Sequence, residues 1–273
     1  GTGKTTTVVE LIRRLVLLGG ARVLACAPSC DFRRPRPRIL SCTNGFVGHR
    51  NVAADNLIER LAAANSRSSA STAQGGRGKK KGSKQSQRSA AALRPLRLVR
   101  AGHPARLLPS VLEHSLDALV ENGEEKALAR DVRAELEQLL RGGGKGKAGK
   151  GGKSSAKRGK VKWAEVSLLR KELRQREDQA TAQTLRQADV LVCTCAGAVS
   201  RALASAATFD VVVIDEAAQG TEAVCWLPLL RGQRAVLAGD HRQLPPTIKS
   251  DAAASGGLAT TLFERLAEQH GSS

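Results

Sequence analysis

A chain of 273 residues in which 41% of side chains are apolar can bury one large core or two modest ones, and its formal net charge of +19 makes it strongly basic. No apolar run approaches the roughly 20 residues that span a bilayer, and no signal-peptide pattern is present, so a place in the cytoplasm, the nucleus or both is expected. The six cysteines include no C-x-x-C pair and the five histidines do not stand beside them at zinc-finger spacing; reduced, structural thiols are expected rather than a metal centre.

The charge is unevenly placed. Residues 30–50 hold five Arg and one Asp, residues 65–100 hold ten Lys or Arg and no acid, and residues 142–162 hold eight and none. These segments account for the whole excess, leaving the rest slightly acidic. Residues 65–92 and 142–160 are rich in Gly, Ser and Lys and nearly free of large apolar side chains, so they cannot offset the entropy of ordering and read as disordered basic linkers. Such linkers either stay solvated or grip phosphates electrostatically. With no Met, and an opening inside a motif, the chain reads as a fragment incomplete at both ends.

In chain order, Gly1-Thr-Gly-Lys-Thr-Thr-Thr7 is the end of a phosphate-binding loop, with Gly3, Lys4 and Thr5 as its final G-K-T. Val8, Val9, Leu11, Ile12, Leu15, Val16 and Leu18 then lay an apolar stripe on a helix that Gly19-Gly20 ends. Residues 22–27 read as a strand with Pro28-Ser29 at its carboxyl end. Residues 30–50 have no usable periodicity and look inserted, because joining Ser29 directly to Asn51 makes a strand-to-helix loop of ordinary length; translated intron is one source of such a segment. A helix with Val52, Leu57, Ile58 and Leu61 apolar follows over 51–61. Residues 96–99 suit a short strand, and helices are expected over 107–120, 127–140 and 163–188. Strands at 189–193, 210–215 and 234–238, with helices at 221–230 and 256–270, complete an alternating pattern that indicates a parallel sheet. The expected organisation is a RecA-like α/β domain built from residues 1–64 and 189–273, a linker over 65–95, and a helical insertion over 96–188 that contains the loop 142–160.

Asp210-Val-Val-Val-Ile-Asp-Glu-Ala-Ala-Gln219 carries the chemistry furthest. A continuous β-branched run suits a strand buried on both faces, and the two carboxylates that follow belong at its carboxyl end, where open α/β sheets bind ligands. Three more strands end there in small or polar loops: Pro28-Ser29, Thr194-Cys195 and Gly239-Asp240. Gly1, Thr2, Gly3, Lys4, Thr5, Thr6 and Asp240 are the candidate nucleotide-binding residues. Backbone N–H groups at a helix N-terminus hold phosphate oxygens, and a lysine at position 4 reaches the β/γ-phosphates. Thr5 and Asp215 are candidate Mg²⁺ ligands, Glu216 the candidate base for an attacking water, and Gln243 a neutral side chain suited to the γ-phosphate or that water.

These stretches resemble a family. Gly-Thr-Gly-Lys-Thr-Thr-Thr, Ala-Pro-Ser with Asn-Val-Ala-Ala-Asp-Asn-Leu, Val-Val-Ile-Asp-Glu-Ala-Ala-Gln and Leu-Ala-Gly-Asp-His-Arg-Gln-Leu-Pro-Pro resemble, in order, motifs I, Ia, II and III of superfamily 1 helicases of the nonsense-decay-factor and senataxin type. Gly102-His-Pro-Ala-Arg-Leu-Leu108, Glu113-His-Ser-Leu-Asp-Ala118 and Leu168-Leu-Arg-Lys-Glu-Leu173 are most similar to the immunoglobulin-mu-binding-protein helicases within that group. The resemblance implies a first RecA-like motor domain, ATP and Mg²⁺ as cofactors, and 5′→3′ translocation on single-stranded RNA or DNA by a monomer. It places Ser29, Asn51 and Thr194 on the nucleic-acid path, gripping the backbone in a sequence-neutral way. It also implies a second RecA-like domain with arginine fingers, which these residues do not include, so the chain alone is expected to hydrolyse ATP poorly. The alternatives are a catalytically inactive nucleic-acid-binding fragment with a degenerate P-loop fold, and a small-molecule P-loop kinase, which leaves Gly-Asp-His-Arg-Gln-Leu-Pro-Pro without a purpose.

Overall fold

The computed structural model describes residues 3–28, 52–73, 94–123, 125–142 and 163–271. Five strands, β1 (Val23–Ala27), β2 (Leu98–Arg100), β3 (Val190–Thr194), β4 (Phe209–Ile214) and β5 (Gly232–Leu237), form one sheet in the order β2-β3-β1-β4-β5. Every pairing is parallel. The register sets Ala27 beside Thr194, Cys26 beside Ile214, and Ile214 beside Leu237. The carboxyl ends of β3, β1, β4 and β5 therefore share one edge, as a parallel sheet requires.

The apolar runs of the sequence are buried because both faces are covered. Val23, Ala25, Ala27, Val190, Val192, Val211 and Val213 pack with Val8, Val9, Ile12 and Val16 of α1 (Lys4–Leu17) and Ala54, Leu57, Ile58 and Leu61 of α2 (Val52–Ala73). The alternate residues Leu24, Cys26, Leu191, Cys193, Val212 and Ile214 are equally buried on the opposite face, where α6 (Glu222–Leu229) packs against β4 and β5. Ile12 is completely buried, so Ile12→Ala is expected to cost about 2–5 kcal/mol, readable by urea denaturation. Cys26, Cys193, Cys195 and Cys225 are buried free thiols. Burial raises Cys26 and Cys195 well above the ordinary thiol range and pushes Cys225 up to about 11.

Several expected boundaries move. The helix of 51–61 continues to Ala73, because the Ala/Ser-rich stretch after Leu61 has no breaker and Asn65 is anchored: its amide donates to Leu96 O at 3.0 Å and its carbonyl accepts from Leu96 N at 3.2 Å. The linker expected over 65–95 is thus ordered at both ends, since Arg94 makes a two-armed contact with Asp189 at 2.6 and 2.9 Å. The helix expected over 107–120 is one 3₁₀ segment, Pro109–His114, followed by α3 (Leu116–Asn122), and a separate 3₁₀ turn, Pro104–Arg106, precedes it. Proline lacks the N–H that a continuing helix needs, so each Pro can only start a new turn. The helix expected over 256–270 is split. A short α7 (Asp251–Ala253) leads into one π turn in which Gly257 takes φ 96°, and α8 (Leu262–His270) starts afresh with Thr261 accepting from Glu264 N.

The chain divides into two compact units, residues 1–116 with 185–273, and residues 117–184. Residues 96–116, including the edge strand β2, go with the sheet. In the second unit, α4 (Glu125–Gly142) and α5 (Trp163–Gln187) close a small core of Val132, Leu136, Val166 and Leu169, with Arg133 paired to Glu177 at 2.6 Å. Residues 30–50, 74–93 and 143–162 lie outside the described residues, and with them the expected insertion and most of the basic linkers.

Candidate functional site

Gly3 precedes α1 in the left-handed region, φ 73° and ψ 3°, with open space where a Cβ would stand. Its glycine is required by dihedral strain alone. That turn starts the helix at Lys4, so Lys4, Thr5 and Thr6 occupy the first turn, where unpaired N–H groups and the helix dipole favour anions. Lys4 Nζ reaches Asp240 Oδ2 at 3.5 Å, and Arg60 Nη1 of α2 donates to Thr6 Oγ1 at 3.4 Å. Gly1 and Thr2 lie outside the described residues.

Asp215 directly follows β4 and its N–H still donates to Cys26 O at 2.8 Å, so the ladder carries the residue to the end of the sheet. It stands at the strand's carboxyl end, as expected from the sequence, but its side chain is only 4% exposed. Burial raises its carboxyl above the usual range, opposed by hydrogen bonds from Glu216 N–H and the Thr5 hydroxyl and by the charges of Arg60 and Lys4. The ionised form is therefore less favourable in the folded than in the unfolded chain. At neutral pH it costs stability, and the cost is relieved as pH falls through the raised value. Asp215→Asn is expected to leave the thermal midpoint unchanged or higher in the absence of divalent cations, measured by calorimetry.

Glu216 is the only non-glycine residue with positive φ among the described residues, at 54° with ψ 38°. Such a conformation costs on the order of 1–3 kcal/mol and persists only where the surroundings hold it. Here they do. Ala217 N donates to Ala238 O at 2.8 Å, and Gln219 Nε2 donates to Glu216 Oε2 at 3.2 Å. The left-handed turn sends the Glu216 side chain along a course different from that of Asp215, so two adjacent carboxylates stand in different surroundings. Gly239 permits the approach of the loop after β5: a Cβ there would lie 3.0 Å from Ala218 N and 3.2 Å from Ala217 N.

Beyond Gly239, Asp240 is a junction. Its carboxylate accepts from Arg242 N at 3.1 Å, Gln243 Nε2 at 3.0 Å and Lys4. These contacts hold it below the usual carboxylate range, Arg242 N–H foremost. Gln243 thus reaches the site through Asp240. Thr194 ends β3 on the same sheet edge, with its hydroxyl accepting from Gly197 N at 3.0 Å; Ser29 and Asn51 lie outside the described residues. The fold accordingly joins Thr5 to Asp215 and Lys4 to Asp240 from segments more than two hundred residues apart. A threonine hydroxyl beside a buried carboxylate is an all-oxygen pair of the kind Mg²⁺ takes, with water supplying the rest.

Four further residues matter that carry no signal in the sequence pattern. Gln219 steadies Glu216. Arg60 sits on the polar side of an amphipathic helix and carries no local mark of what it faces. Asp55 and Arg100, both completely buried, pair at 2.8 Å, and Asp55 Oδ2 also accepts from Leu108 N at 3.1 Å. A buried arginine in a three-residue strand is invisible to pattern reading, because a strand carrying Arg looks like an exposed edge.

The AAA domain family matches residues 1–251. The DNA-binding protein SMUBP-2 of Mus musculus is 42% identical over 99% of this chain and 22% of its own length. The DNA polymerase alpha-associated DNA helicase A of Saccharomyces cerevisiae is 33% identical over 97% of this chain and 32% of its own. The ATP-dependent helicase NAM7 of the same yeast is 30% identical over 97% and 20%. The chain thus spans about a fifth to a third of the length of these curated relatives. A parallel sheet with a phosphate-loop helix, the paired carboxylates after β4 and this breadth of similarity agree: the chain belongs to the AAA domain family and, within it, to the superfamily 1 helicases of the nonsense-decay-factor type.

Proposed function

We propose that this chain is the first RecA-like motor domain of a nucleic-acid helicase that couples ATP hydrolysis to 5′→3′ movement on single-stranded RNA or DNA. The observation that carries the reading is the union at one sheet edge of the Lys4 loop with Asp215, Glu216 and Asp240, supported by relatives named as DNA-binding protein, DNA helicase and ATP-dependent helicase.

In this reading the first turn of α1, with Gly1 to Thr6, holds the phosphates, and Lys4 neutralises the β/γ end. Asp240 holds Lys4 in place. Thr5 and Asp215 hold Mg²⁺, which would supply charge neutralisation at the phosphates. Glu216 accepts a proton from the attacking water, steadied by Gln219, and Gln243 reports the state of the γ-phosphate through Asp240. Ser29, Asn51 and Thr194 line the nucleic-acid path. The helical unit 117–184 is the subdomain inserted into the motor, with the basic segments adding sequence-neutral grip. The whole protein would be monomeric, carry a second RecA-like domain, and work in the cytoplasm or nucleus.

The test is ATP hydrolysis by the full-length protein with and without single-stranded RNA and DNA. Stimulation by nucleic acid is expected, with a loss on the order of 10²-fold or more in Lys4→Ala. Nucleic-acid binding without any hydrolysis would replace the motor by a binding-only protein.

A further inference from the structure

The helix that begins within motif Ia brings a cation to the phosphate loop. Arg60 is exposed on α2, and its one hydrogen bond among the described residues is the 3.4 Å contact to Thr6 Oγ1 in the first turn of α1. A guanidinium has five N–H donors in a planar fork. A single long contact to a neutral hydroxyl leaves most of them available, and it fixes where they are: at the helix N-terminus where backbone N–H groups already favour an anion.

Arg60 approaches the loop from α2, whereas Lys4 comes from the loop itself and turns to Asp240. A cation held beside the phosphate loop, with no salt bridge among the described residues, suits an anionic group entering there.

We propose that Arg60 is a further phosphate-binding residue of the nucleotide site, its guanidinium contacting the phosphates of bound nucleoside di- or triphosphate from α2. The assignment rests on the nucleotide reading above and adds a residue outside motifs I, II and III. Because α2 directly continues the segment that the helicase resemblance places on the nucleic-acid path, Arg60 also gives that segment a physical contact with the nucleotide. Planar, two-pronged donation distinguishes it from the point charge of Lys4.

The test uses the full-length protein with Arg60→Ala, Arg60→Lys and, as reference, Lys4→Ala. A fluorescent ADP and a fluorescent non-hydrolysable ATP analogue report affinity, and steady-state hydrolysis with saturating single-stranded nucleic acid separates KM from kcat. Arg60→Ala is expected to raise the nucleotide Kd and the KM for ATP about tenfold, in the range of one charge-assisted hydrogen bond. Arg60→Lys should recover part of that loss. The thermal midpoint without nucleotide should stay at the wild-type value in both, since the side chain is exposed. A Kd and KM within twofold of wild type in Arg60→Ala, with binding abolished in Lys4→Ala, would overturn the role of Arg60 and leave the nucleotide site standing. Wild-type binding in Lys4→Ala would overturn both.

Discussion

Glu216→Gln is expected to lower ATP turnover by the full-length protein by about 10²–10⁴-fold while leaving nucleotide affinity close to wild type, the signature of a lost general base. The substitution is nearly isosteric. Gln219 can still donate to the remaining carbonyl oxygen, so the left-handed turn at Glu216 and the loop that follows keep their support. Asp215 is untouched, and with it the pairing to Thr5. Single-turnover hydrolysis with nucleic acid bound, beside equilibrium binding of a fluorescent nucleotide, separates chemistry from binding. A turnover within threefold of wild type would remove Glu216 from the role proposed for it, and a matching loss in Asp215→Asn but not in Glu216→Gln would transfer that role to the buried carboxylate.

Breaking the Asp55–Arg100 pair is expected to have the largest effect on folding. Asp55→Ala leaves a completely buried guanidinium whose remaining contacts are Ala101 O at 2.6 Å and Val192 O at 3.5 Å, with Nη2 without a partner. Uncompensated buried charge costs about 3–5 kcal/mol. The pair also fastens α2 to β2 and to the turn at Leu108, so the loss should spread to the edge of the sheet. The double variant Asp55→Leu, Arg100→Met removes both charges together and should lose less, about 1–3 kcal/mol, mainly because Leu108 N–H and Ala101 O then lack partners. Urea denaturation of the three proteins reads the difference. Equal losses in the single and double variants would mean that shape, rather than uncompensated charge, is what this site supplies.

The site carboxylates were legible in the residues, and the buried Asp55–Arg100 pair was not. Asp215-Glu216 after a β-branched run, Gly3-Lys4-Thr5 before an amphipathic helix, and Gly239-Asp240 after a strand are local patterns, and each lies at the sheet edge where those patterns put it. The element types at α1, α2, β1, β3, β4 and β5 follow from periodicity that the core then satisfies. Boundaries were less legible. Pro109 and Gly257 broke expected helices because backbone chemistry outweighs an apolar stripe, and α2 ran past Leu61 because Asn65 found Leu96 from a distant segment.

Residue types at short, regular spacing were enough to set the fold class, the family and the positions of the paired carboxylates. Which distant groups meet is a property of the folded chain. Lys4 turned towards Asp240, Arg60 towards Thr6, Asp55 found Arg100, and Asp215 went under cover with Thr5 rather than out into water. The physical reason is that hydrogen bonds and ion pairs between segments act over a few ångströms in space, set by how the sheet stacks its strands, and leave no periodic trace along the chain.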